Sequence, residues 1–384
     1  MKEMRMIKKT YKMKTDQGTV RKDGSISSFF HSRFSHSCLG KQAMLRLSFL
    51  ISSLMLLFAC SSIDDDLSDC GFDVNYELKM VTNIQTKLQT QLQTDLELQT
   101  NLELMAALTT HLGTIFRDYA DDVELSFYDV KGDSVLLEHD QHEMNGKEES
   151  YTLNIPRRHY LHLATANVKQ EQSVETIDQA LCHSARLKQM GLDTIPSHTT
   201  GVFSARYDMD IKDSIDQTFN VHLYMVNSAT VLVIDTLDSH VRDIKVYATG
   251  FSTGFQVADS TYVFDKESPI VRAVPVHSDD KQYACFTTVN FPSPDKMIIP
   301  VGAPRRASDD DVADGLWEYH LYITTAKGSI TRSILRSYQP LLAEQVLVVH
   351  VKLEPDGSAE STDATVGVSV TLDWNQGGTY NPEI

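Results

Sequence analysis

Apolar and polar positions alternate in short stretches over much of this 384-residue chain. Phe72–Met80 (FDVNYELKM) sets Phe72, Val74, Tyr76, Leu78 and Met80 against Asp, Asn, Glu and Lys, a period of two that predicts a strand with one buried face. From Ile84 to Tyr119 the period becomes four. Leu88, Leu92 and Leu96 form one series, and Leu104, Leu108, Leu112 and Phe116 a second. Residues four apart share a helix face. The stretch holds no Pro and one Gly, Gly113, and the apolar phase slips by two residues near Leu98. The pattern predicts one long helix or two with a break there. A partner-binding coiled coil is the alternative, against which the strict heptad is missing.

Strand patterns then resume at Val123–Tyr128, Ser134–Glu138, Tyr151–Ile155 and Tyr160–Ala166, split by turn signals at Lys131-Gly132-Asp133, Asn145-Gly146 and Pro156. Val174–Met190 (VETIDQALCHSARLKQM) reads as a helical interlude, and a boundary is expected near Asp213–Asp216. A second set of strands follows at Phe219–Met225, Ala229–Asp235, Asp243–Thr249, Tyr262–Phe264, Tyr283–Asn290, Tyr319–Thr325, Val346–Leu353 and Val366–Trp374. Strands that recur at hairpin spacing predict a mainly β chain of two tandem antiparallel sandwiches, not a doubly wound sheet. Val301–Gly315 (VGAPRRASDDDVADG) reads as an exposed charged loop.

One apolar run stands apart. Leu47–Ala59 has no charged residue over thirteen positions, too short for the roughly 20 that a membrane helix needs. Met44-Leu45-Arg46 in front and a small residue at its end make it a secretory signal. Leu57-Phe58-Ala59-Cys60 resembles the bacterial lipobox, which implies cleavage between Ala59 and Cys60 and lipid attachment on the Cys60 thiol. Two or three acyl chains hold a protein stably on a bilayer where one is marginal. Asp64, Asp65 and Asp66 beside that anchor predict a solvated tether. They also resemble the signal that sends Bacteroidales lipoproteins to the outer face of the outer membrane. The expected organisation is residues 1–43 as an upstream segment, mis-annotated or unstructured, 44–59 as signal peptide and 60–71 as lipidated tether. Residues 72–216 form a first β domain with a helical insertion at 84–119, and 217–384 a second.

Charge narrows the partners. The 59 residues before Cys60 carry 11 of the 35 Lys+Arg and 3 of the 52 Asp+Glu, which leaves 24 basic and 49 acidic side chains and a formal charge of −25. Nucleic-acid affinity comes largely from basic residues on phosphates, so nucleic acid is not an expected partner. After Cys60, only Cys70, Cys182 and Cys285 remain, too few and too widely spaced for a disulfide framework or zinc site, with one bridge and a spare thiol left open.

Catalytic signals are sparse. Gly250-Phe251-Ser252-Thr253-Gly254 matches G-x-S-x-G after a strand pattern, but a nucleophile elbow needs a helix next, and FQVADSTYVF reads as strand. His139 and His142 fall in a polar stretch expected to be a loop. His159 and His162 fall in a strand, where a separation of three points them to opposite faces. Asp309-Asp310-Asp311 lacks the glycine and glutamate of a calcium loop. No catalytic residue, cofactor, metal or small-molecule substrate is expected. Val366, Val368, Val370, Leu372 and Trp374 alternate with polar or small residues near the chain end, a pattern suited to the last core strand or to completing a neighbour's sheet. Five short D-S/T-x motifs, at Asp133, Asp193, Asp213, Asp235 and Asp259, look like the O-glycosylation acceptor of Bacteroidales exported proteins.

The lipobox with CSSIDDDLSDCG behind it, then VELSFYDVKGD, YTLNIPRRHYLHLATAN and TTGVFSARYDMDI…TFNVHLYMVNSATVLVI, resembles the FimB-like fimbrium anchor and accessory lipoproteins of Bacteroidales. The resemblance implies two transthyretin-like β-sandwich domains, a place on the outer membrane through the N-terminal lipid, and non-covalent contact with a fimbrial stalk subunit. Stalk subunits are thought to mature by an arginine-directed cut that removes their first strand. Here the first arginine after Cys60 is Arg117, so that cut would part lipid from body, and an anchor or accessory role is favoured. The alternatives are a glycan-binding lipoprotein of an uptake system, for which Trp317 and Trp374 are the only tryptophans, and a hydrolase using Ser252.

Overall fold

The computed structural model describes residues 71–373 apart from 83, 96–97, 118–119, 145, 192–193, 213–216, 236–239, 266–267, 278–282, 296–315, 355 and 362–365. The first alternation folds as β1 (Gly71–Val81), which buries Val74, Tyr76, Leu78 and Met80. β1 lies inside a seven-stranded sheet ordered β3 (Leu136–Glu143), β2 (Asp122–Asp129), β5 (His159–Ala166), β9 (Phe203–Asp210), β10 (Thr218–Met225), β1, β4 (Glu148–Pro156). It runs parallel to β10 and antiparallel to β4.

This sheet folds back on itself. Two residue pairs, Tyr224↔Ser204 and Met225↔Phe203, join β9 to β10, so the sheet turns a corner there. His142 on one edge strand stacks on Tyr151 of the other at 4.3 Å. The apolar sides of β3-β2-β5-β9 and β10-β1-β4 therefore face each other, with Leu125, Phe127 and Ala164 in one continuous core with Leu78, Ile155 and Val221.

The period-four stretch forms α1 (Ile84–Thr94), a short 3-10 turn at Leu98–Thr100 and α2 (Leu102–Ile115). The break coincides with the phase slip. Asp95 Oδ1 accepts from Leu98 N at 3.0 Å, and Asn101 Oδ1 caps α2 by accepting from Leu104 N at 2.9 Å. Leu88, Leu92, Leu98, Leu104, Leu108 and Leu112 are all buried, each leucine contributing on the order of 1.5–3 kcal/mol. They share a core with Val231, Val233 and Val346 of a second sheet, ordered β16 (Val274–Val276), β17 (Ala284–Asn290), β11 (Ser228–Asp235), β20 (Val346–Leu353), β21 (Ala359–Ser361).

β11 is apolar on both sides because both are covered. Val231 and Val233 face the helices, while Leu232 and Ile234 pack into a separate core against a six-stranded sheet, β22 (Val366–Asp373), β19 (Ile330–Ser337), β18 (Trp317–Thr325), β12 (Val241–Thr249), β15 (Ile270–Arg272), β8 (Thr194–Pro196). Two-sided burial is the setting in which parallel pairing, here β11 with β20, is usual. A four-stranded sheet, β14 (Thr261–Val263), β13 (Gly254–Gln256), β7 (Arg186–Gln189), β6 (Val174–Ile177), covers Tyr128 and Leu163 on the outer side of β2 and β5. The chain is mainly β, in several sheets. Among the described residues no helix is long and apolar enough to cross a membrane.

Three readings of the pattern need correction. Val174–Met190 is not helical. It holds β6, a 3-10 turn at Cys182–Ser184 and β7. Asp178 at φ +55° breaks the run, and β7 pairs with both β6 and β13, so sheet hydrogen bonds override a pattern of apolar residues at helical spacing. Phe219–Met225 belongs to the first sheet, as β10. Its strict one-sided alternation matches β1, whereas β11 is buried at every position before its last, Asp235, and the chain changes sheet at Val226-Asn227. β19 escapes the apolar pattern because two of its four inward residues are serines and one a threonine, Thr331, Ser333 and Ser337, with Leu335 the fourth.

Candidate functional site

β22 forms one edge of the six-stranded sheet and pairs antiparallel with β19 over eight residues, Val366↔Ser337 to Asp373↔Ile330. Val366 is buried in the core between the five- and six-stranded sheets, and half-buried Val368 packs against it. Val370 and Leu372 lie in the same strand; Trp374 is outside the described residues. Gly367 sits beneath the half-exposed ring of Tyr338, where an added Cβ would stand 3.0 Å from the hydroxyl oxygen. The far edge of β22 has no strand partner among the described residues. Such an edge offers a row of backbone donors and acceptors for another strand.

Ala59, Cys60, Asp64, Asp65, Asp66 and Cys70 lie outside the described residues, as do Val301–Gly315 and two of the D-S/T-x serine and threonine positions, Ser214 and Thr236. Of the other three, Ser260 is exposed in a turn at φ +55°, Thr194 is exposed at the start of β8, and Ser134 is half-buried. Cys182 and Cys285 are both buried free thiols. Burial raises the Cys182 thiol to about 11 and pushes Cys285 higher still.

The Gly250–Gly254 motif has a structural explanation. β13 follows it, where an elbow needs a helix. A Cβ at Gly250, which has φ +96°, would stand 2.5 Å from Trp317 Cα, and one at Gly254 would stand 2.6 Å from the Leu187 carbonyl oxygen. Both glycines are therefore demanded by close backbone approach. Ser252 is fully buried, its amide donates to the Pro292 carbonyl at 3.0 Å, and its Oγ has no hydrogen-bond partner, histidine or other, among the described residues. Trp317 is buried, its Nε1 donating to the Gln339 carbonyl at 2.9 Å.

The histidine pairs are split. His139 and His142 stand on a strand, β3, not in a loop, because Leu136–Glu143 pairs with β2 despite its polarity. His139 Nδ1 lies 3.2 Å from Ser126 Oγ, while His142 stacks on Tyr151. His159 is exposed and His162 buried, on opposite faces of β5. Among the described residues no three His, Cys, Asp or Glu side chains gather as metal ligands.

The pattern gave no notice of a buried polar knot where the sheets meet. Glu171 accepts from Ser173 Oγ at 2.5 Å, Thr199 N at 2.6 Å and Thr200 N at 3.2 Å. Burial pushes the Glu171 carboxyl up, but His198 beside it and these hydrogen bonds outweigh that and hold it below its ordinary range. Asn227 Nδ2 donates to the Thr200 carbonyl at 3.0 Å and to His198 Nδ1 at 3.4 Å, and Asn227 Oδ1 accepts from Val202 N at 3.2 Å. The knot ties the 167–202 segment to the point where the chain passes from β10 to β11. His198 Nε2 and Ser252 Oγ each lack a partner among the described residues and do not bond one another.

No family model matches the chain, and no curated protein matches it. Among solved structures it is similar to a candidate adhesin of Bacteroides ovatus, at 12% identity and TM-score 0.44, covering 77% of this chain and 93% of that one. It is similar to the fimbrial anchor protein Mfa2 of Porphyromonas gingivalis at 11% identity and TM-score 0.41, covering 78% and 99%. It is also similar to candidate polysaccharide-binding proteins of Bacteroides thetaiotaomicron at 11% identity and TM-score 0.42, covering 77% and 97%.

Proposed function

We propose that this chain is a lipoprotein on the outer surface of the outer membrane that anchors a fimbria, or regulates its assembly, through non-covalent contact with a stalk subunit. The observation that carries the reading is the placement of β1. Eleven residues after Cys60, the chain enters a strand bonded on both sides, to β10 through seven register pairs and to β4 through nine. Val74, Tyr76, Leu78 and Met80 lock it into the core. A lipid at Cys60 would thus pull on a strand with two ladders and four buried side chains.

Arg117, the first arginine after Cys60, lies beyond both helices and is paired with Asp121. A cut there would sever β1 and its lipid from the polypeptide that follows, which suits a body that stays moored and not a subunit that sheds its first strand. The segment Val366, Val368, Val370, Leu372 and Trp374 is the strand-exchange segment assigned to contact with the stalk subunit, the place of β22 beside β19 being the line along which strands would exchange. The β sheets belong, in this reading, to two tandem transthyretin-like sandwich domains with the helices inserted in the first.

The test is made on cells. Mass spectrometry of the native protein is expected to find acyl chains on Cys60 as the mature N-terminus, and crosslinking on intact cells to recover a fimbrial subunit. Deletion is expected to leave fimbriae shed into the medium or altered in length. An unacylated N-terminus, or fimbriae of normal length and attachment without the protein, overturns the proposal.

A further inference from the structure

A cavity of about 300 Å³ lies between the N-terminal end of α2 and the five-stranded sheet. Its polar wall is set by register. Asp235 of β11 pairs with Lys352 of β20, and Val233 with His350. Ala284 pairs with Ile234, so the antiparallel ladder brings Tyr283 beside Asp235. An aromatic ring, a carboxylate and an ammonium thus stand side by side in the lining of the cavity, together with the buried Val233 and Leu104. His350, nearly buried, is fixed by its 2.8 Å contact with Asp95 Oδ2.

The geometry points to a binding site for one neutral sugar ring, separate from the fimbrial role proposed above. The volume sits at the lower end for ligand pockets and suits a single ring. The two charged side chains of the lining, Asp235 and Lys352, stand side by side and offset one another, so an ion meets no net charge to draw it in. What the walls offer is amphipathic. The carboxylate accepts from hydroxyls, the ammonium donates to them, and both make charge-assisted bonds. Tyr283, Leu104 and Val233 present apolar surface to the C–H side of a ring, with the phenol adding a polar tip.

The experiment is titration calorimetry, with saturation-transfer NMR, on the full chain against free glucose, galactose, mannose, fucose and N-acetylglucosamine. Glycine and glutamate serve as charged comparisons. At least one sugar is expected to bind with a Kd in the range of about 0.1–10 mM, and neither amino acid to bind. Asp235→Asn is expected to weaken that sugar at least about tenfold. Lys352→Met, at an exposed position that leaves the fold undisturbed, is expected to weaken it several-fold. Absence of binding by every sugar up to about 50 mM, binding of the amino acids in their place, or sugar binding unchanged in Lys352→Met overturns the inference.

Discussion

The Tyr76 hydroxyl lies 2.7 Å from His162 Nε2, a bond that spans the folded sheet from β1 to β5. His162 Nδ1 is 3.1 Å from the Ser126 carbonyl oxygen, so Nδ1–H donates there, Nε2 accepts, and Tyr76 O–H is the donor. The ring stacks on Phe127 with centroids 4.4 Å apart. The contact fixes how the two halves of the sheet close on each other, and burial keeps the imidazole in it neutral.

A pH dependence follows. Burial lowers His162 from the ordinary 6.5 to about 4. Below pH 6.5 the unfolded chain takes up a proton that the folded chain refuses, so stability is full above 6.5 and falls as pH drops toward 4. Over the full span from 6.5 to about 4 the loss is roughly 3 kcal/mol. Urea midpoints measured at pH 7.5 and 4.5 are expected to differ accordingly. The double variant Tyr76→Phe/His162→Phe, which removes both polar ends together, should show a difference smaller by that amount. An equal acid sensitivity in the double variant would show that His162 is not the group responsible.

Gly250 and Ser252 are expected to respond in opposite ways. Gly250→Ala places a Cβ against Trp317 backbone at φ +96° and should cost at least about 2 kcal/mol. Ser252→Ala removes a buried hydroxyl that has no partner among the described residues and should leave stability level or slightly raised. Thermal melts of the two variants decide it. A large loss in Ser252→Ala would mean that its Oγ makes a bond essential to the fold.

Much of the β architecture was readable because apolar residues alternate wherever one face of a strand meets water, as in β1 and β10. The leucines of α2 were readable for the same reason at period four, and even the break at Leu98 showed in the phase. Reading failed where the burial rule is inverted. β19 turns Thr331, Ser333 and Ser337 inward beside Leu335, and β3 keeps a strand out of residues polar enough for a loop because β2 supplies the ladder. Partner choice was also invisible. Alternation tells which face of Phe219–Met225 is buried, not that β1, with register partners 143 residues earlier, is its neighbour. The Glu171–His198 knot left no local signal, because its members lie 27 residues apart and meet only once three sheets are in place. The cavity at Asp235 is hidden likewise, since Tyr283, Asp235 and Lys352 are brought together by two ladders.

The two described thiols should be silent in the native state. Cys182 and Cys285 are buried and their thiols are raised by that burial, Cys182 to about 11, so almost no thiolate is present near neutral pH. Iodoacetamide at pH 8 is expected to leave both unmodified until denaturant is added, and mass spectrometry by peptide reads the result. Native labelling of Cys285 would mean that the five-stranded sheet opens locally.

The edge strand gives the most direct test of what the second half of the molecule can do. β22 covers β19 through eight register pairs, and Val366 reaches the core. A chain ending at residue 365 would leave β19 with a bare ladder and a gap beside Leu335. Backbone pairing supplies affinity for any extended segment, whereas the alternation of Val366, Gly367 and Val368 supplies choice: the glycine must pass under Tyr338 while the valines face inward. The truncated chain is therefore expected to bind a synthetic peptide of residues 366–374 with a Kd on the order of micromolar, and the intact chain not to bind it. Replacing the peptide residue at Gly367 by Val, which collides with the Tyr338 ring, or at Val366 by Asp, which buries a charge, should weaken binding at least about tenfold. Should the intact chain take up the peptide equally well, the free edge of β22 and not the place of β22 itself would be the docking line. Should neither chain bind, the strand is a fixture of its own sheet, and the contact with a stalk subunit has to be sought elsewhere.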